Sequence, residues 1–118
     1  MKFLRETLEK PKKIELLYRA SEHKFSAQIF HKKCDNIPDT LTLVKTEFGK
    51  VIGGFSHYTW NAVKQKYVTD EDMKAFLLSL DLKEKMTAIG ENDLIYCGPG
   101  QGPSFGGGHD LMLSDRCN

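Results

Sequence analysis

Hydrophobic and polar positions divide the chain into short segments of changing period. Leu4 and Leu8 stand four residues apart with Phe3 beside them, which predicts a short amphipathic helix. Pro11 ends it, because proline disfavours helix in the residue before it. Residues 14–20 are apolar and partly alternating and read as a strand. After a polar break at residues 21–24 a helix is expected over 25–33, capped by Ser26 and apolar at Ala27, Ile29 and Phe30. Phe25 is placed to pack back on Phe30 as a staple. Residues 34–39 carry turn chemistry.

The clearest local pattern is a hairpin. Residues 40–46 alternate and are rich in threonine, valine and leucine, residues 47–50 can turn the chain at Gly49, and residues 51–58 return. Gly53 and Gly54 interrupt the returning strand. Glycine weakens a strand, so this pair marks a bulge or a place where something large packs on the backbone. Residues 60–72 read as a polar connection. Residues 69–80 admit two readings: Met73, Phe76, Leu77 and Leu80 fall at helical spacing, yet 75–80 is also a short apolar run suited to a buried strand. Strands are expected at 86–89, 94–97 and 109–113, with a glycine-rich loop over 98–108. Two or three helices with about seven antiparallel strands make an α+β fold.

Composition narrows the function classes. A chain of 118 residues, 40% hydrophobic and 28% charged, suits one domain with one core. A net charge of +1 provides no field to draw it onto nucleic acid. The local basic clusters, Lys10 with Lys12 and Lys13, and His31 with Lys32 and Lys33, have acidic neighbours. No stretch approaches the roughly 20 apolar residues of a membrane span, and charge interrupts the amino terminus before a signal-peptide core could form. Cys34, Cys97 and Cys117 are an odd number at distant positions, which fits reduced thiols in a cytoplasmic protein better than a disulfide framework.

No catalytic set assembles from the residues alone. The segment 98–108 lacks the lysine and serine or threonine of a phosphate loop, and a strand follows it where a helix should. His23, His31, His57 and His109 show no metal-ligand spacing, so no metal or other cofactor is expected. Ser104 is not in a nucleophile elbow, and the carboxylates of Asp70, Glu71 and Asp72 read as a solvated charge run. Ser104, Phe105, Gly106, Gly107, Gly108 and His109 remain as candidate binding positions in the glycine loop.

Four blocks in order resemble the TLDc domain family: residues 14–36 (IELLYRASEHKFSAQIFHKKCDN), the hairpin of 40–60, AFLLSLD at 75–81 and PSFGGGHDL at 103–111. His109 and Asp110 after the glycines are similar to the protist branch of that family. The resemblance implies two antiparallel sheets in a sandwich flanked by short helices, and it decides residues 75–80 in favour of a strand. It divides the single domain into a helix and linker over 1–13 and the TLDc core over 14–118. TLDc domains continue past the glycine loop and its strand, so the resemblance also implies missing carboxyl-terminal strands, open sheet edges and dimerisation through them. Members of the family are linked to resistance against oxidative damage and to binding the vacuolar proton-pumping ATPase (V-ATPase). The function expected by resemblance is a non-catalytic protein-interaction module. The alternatives are a redox-responsive protein acting through Cys34, Cys97 and Cys117, and then an enzyme of unknown chemistry.

Overall fold

A computed structural model describes residues 2–9, 11, 13–107 and 110–114. Its helices are α1 (Lys2–Thr7) and α2 (Ala27–Cys34). Its strands are β1 (Thr40–Lys45), β2 (Val51–Ser56), β3 (Lys66–Tyr67), β4 (Ala75–Ser79), β5 (Glu84–Thr87), β6 (Tyr96–Cys97), β7 (Gln101–Phe105) and β8 (Leu111–Ser114). The fold is α+β and every strand pair is antiparallel.

Helix α2 begins where Ser26, in extended conformation, accepts the amide of Ile29 on its hydroxyl at 3.2 Å. It ends at Asp35, and Asn36 then turns the chain with φ of 65°. The buried stripe is Ala27, Phe30, His31 and Cys34, one face of a helix. Phe30 meets the ring of Tyr18 at 5.6 Å edge to face.

Four strands form one sheet in the order β1–β2–β4–β5. The hairpin register runs without a break from Thr40 opposite Ser56 to Lys45 opposite Val51, with Gly49 at φ of 79° in the turn. β4 is the strand that the family resemblance favoured for residues 75–80. In place of a single second sheet there are two ribbons, β3–β6 and β7–β8, joined by an isolated bridge between Ile95 and Phe105.

Three expectations need correction. Residues 14–19 form no regular element and pair with no strand among the described residues, and Ile14 and Leu16 are 72% and 65% exposed. Strand composition is not enough where no neighbouring edge supplies the ladder. The supposed loop at 98–108 contains β7, whose last four residues are buried. Its pairing with β8 shifts register between Gln101 and Ser104, and Pro103 lies in that shift, where a missing amide costs least. The polar connection of residues 60–72 contains β3 and starts with Trp60, which is 1% exposed.

Trp60 sits at the centre of the core. Its ring meets Phe30 at 6.0 Å and Phe105 at 5.5 Å, both edge to face, and its indole N–H donates to Thr40 Oγ1 at 3.0 Å. Cys34, Ala75, Leu94, Ile95 and Cys97 complete the cluster. On the opposite face of the four-stranded sheet Phe55 and Phe76 stack at 5.2 Å, and the Lys85 ammonium lies 4.3 Å from the Phe76 ring centre.

Candidate functional site

The candidate positions in the glycine-rich segment separate into an interior part and a surface part. Ser104 and Phe105 belong to β7 and are buried, with Ser104 donating to the carbonyl of Gly102 at 3.2 Å. Neither side chain is open to a partner, which corrects the reading of both as loop residues. Phe105 lies on Gly54, where an added Cβ would stand 2.6 Å from its ring. Gly53 faces the carbonyl of Thr42 so closely that any Cβ would collide with it. Gly106 follows at φ of 85°, its amide bonded to the carbonyl of Leu94 at 3.1 Å, and the Asp110 carboxylate occupies the space of a Cβ there. Gly107 is exposed, and Asp93 Oδ2 lies 3.0 Å from where its Cβ would be. Gly108 and His109 lie outside the described residues.

A buried polar clamp escaped the sequence reading. His31, counted there with a basic cluster, is interior. Its Nδ1 stands 2.6 Å from Asp35 Oδ1 and its Nε2 2.6 Å from the carbonyl oxygen of Gln101. Both partners are acceptors, so the ring satisfies them together only with a proton on each nitrogen. Asp35 Oδ2 accepts the amide of Ala62 at 2.8 Å. The clamp therefore ties α2 to β7 and to the segment after Trp60. The spacing of His31 and Asp35, four residues apart on a helix, was its only trace in the sequence.

The thiols of Cys34 and Cys97 are buried. Burial pushes the Cys34 thiol up to about 11, with Asp35 adding to the rise and Lys33 opposing it. Burial also raises Cys97, whose sulfur donates to the carbonyl of Thr59 at 3.7 Å. Since the thiolate is the reactive species, two of the three candidate cysteines are held in their inert form. Cys117 lies outside the described residues.

The acidic run is partly structural. Asp70 accepts the Tyr58 hydroxyl at 2.7 Å and the amide of Asp72 at 3.1 Å, and these bonds lower its carboxyl below the usual range. Tyr58 is raised by burial and by the same bond to Asp70. Exposed His57 pairs with Asp39 at 2.6 Å. Among the described residues no group of three or more His, Cys, Asp or Glu side chains could hold a metal ion.

The open surface lies at the edge of the four-stranded sheet. A cavity of about 490 Å³ runs between β5 and the turn at Gly106 and Gly107. Ala75, Leu77, Leu94 and Phe105 line it from the core side. Asp93 and Asp110 are the charged residues among those that line it.

The TLDc domain family matches residues 1–118, the whole chain. The chain belongs to the TLDc domain family. The four blocks that resemble the TLDc pattern supply the core with Phe30 and Cys34, Trp60, Ala75 and Phe105 respectively. Each of the four blocks thus contributes at least one residue to the core. No curated protein matches the chain significantly. No helix among the described residues is long and apolar enough to cross a membrane.

Proposed function

We propose that this TLDc chain is a protein-interaction module with no catalytic chemistry of its own. The observation that carries this reading is the cavity beside β5, a partly apolar hollow at a sheet edge unpaired among the described residues. Titratable side chains of the kind an enzyme uses have structural partners: His31 with Asp35 and Gln101, Asp70 with Tyr58, and His57 with Asp39. Membership in the TLDc family supports a V-ATPase subunit as the partner and oxidative-stress resistance as the outcome. A cytoplasmic setting agrees with both. The buried, raised thiols of Cys34 and Cys97 weigh against the redox alternative.

The test is affinity capture from cell lysate on the immobilised chain, beside a Trp60→Ala variant in which the core is disrupted. A discrete set of proteins retained by the folded chain alone, proton-pump subunits among them, is the expected result. Retention of other proteins removes the pump assignment. Equal retention by the two forms removes the module reading.

A further inference from the structure

The cavity beside β5 has a shape and charge that select a type of partner segment. β5 is the last strand of its sheet: one side pairs with β4 from Phe76 opposite Thr87 to Ser79 opposite Glu84, and the other is unpaired among the described residues. All four of its residues are exposed. Such an edge is a template for an added strand. Its flanks are apolar, with Met86 46% exposed and Ile89 fully exposed. The cavity floor reaches Leu94 and Phe105, both core residues, so a side chain entering it would extend the core.

The rim is acidic. Asp93 and Asp110 project at Gly107 and Gly106, and neither pairs with a lysine or arginine among the described residues. Glu84 lies on the same face of β5 as Met86 by strand alternation.

We propose that the groove between β5 and the Gly106–Gly107 turn seats an extended segment of a partner protein as an added strand, with an apolar residue in the cavity and lysine or arginine facing Asp93 and Asp110. This rests on the interaction-module reading and names the surface it uses. The sheet edge supplies backbone hydrogen bonds, the cavity selects the apolar side chain, and the two carboxylates fix orientation and register.

The test is amide NMR of the isotopically labelled chain, titrated with a short threonine-rich peptide that carries a central valine and a lysine two positions to either side, so that all three face the groove. Control peptides carry glutamate in place of lysine, or a central proline. The expected result is a shift of the amides of Glu84–Thr87, Gly106 and Gly107 with the lysine peptide, weakened by salt and lost with either control. Asp93→Asn combined with Asp110→Asn should weaken binding about tenfold, as two partly exposed ion pairs are removed. Met86→Lys, a surface change, should weaken it without unfolding the chain. Equal binding of the lysine and glutamate peptides overturns the proposal. So do shifts confined to β1, or β5 shifts that grow with chain concentration alone, which would make the second copy the occupant. A captured protein retained equally by the chain and the double asparagine variant overturns the groove and leaves the module reading intact. The peptide titration decides the groove even where lysate capture fails.

Discussion

At Gly54 the sheet carries no side chain, and the ring of Phe105 lies on the bare backbone. Gly54→Ala forces that ring to move within a packed core, a change expected to cost about 1–3 kcal/mol. In a Phe105→Leu background the same substitution should cost at least about 1 kcal/mol less, because the two residues share one contact. Urea unfolding of the four proteins checks this, and additive effects would contradict it. Cys34 makes a second prediction. The unfolded thiol ionises near 9.0 and the folded one at about 11, so folding favours the protonated form. Its contribution to stability is complete below pH 9.0 and is lost as pH rises towards about 11. Cys34→Ala should flatten that part of the stability profile. Native Cys34 and Cys97 should react with thiol reagents at neutral pH only as fast as the chain opens, and fast labelling would contradict their placement.

Between elements, the clamp of His31 joins parts of the chain that are 70 residues apart. His31→Leu leaves the carboxylate of Asp35 without its hydrogen-bond partner and should cost about 1–3 kcal/mol. Adding Asp35→Asn to that variant should recover part of the loss, as measured by urea midpoint. A loss unaffected by the second change would show that His31 acts by packing alone. This clamp also explains where sequence reading stopped. The cap at Ser26 and the turn at Gly49 are local devices, so α2 and the β1–β2 hairpin were legible from neighbouring residues. β7 was not, because Gly102 and Pro103 suit a strand only beside the irregular edge that β8 provides. The interior places of Trp60 and His31 depend on residues far away in sequence. Residues 14–19 have the composition of a strand but no described partner, so composition misled.

Across the whole molecule, the family blocks supply both packed core residues and part of the proposed docking surface. Phe30, Trp60, Ala75 and Phe105 are packed inward, whereas Met86, Ile89, Asp93 and Asp110 surround an opening at the sheet edge. The candidate positions read from the glycine segment straddle this divide: Gly106 and Gly107 border the opening, and Ser104 and Phe105 support it from within. β5 could not be recognised as an edge from sequence, since strand order is set by long-range pairing. A module that works by docking should bury apolar surface when it binds and leave its partner chemically unchanged. Isothermal titration of the chain with a purified protein obtained by capture, at several temperatures, tests this most directly. Saturable binding with a negative heat-capacity change is the predicted result. Absence of saturable binding, or heat that continues through turnover of the titrant, would contradict a non-catalytic interaction module.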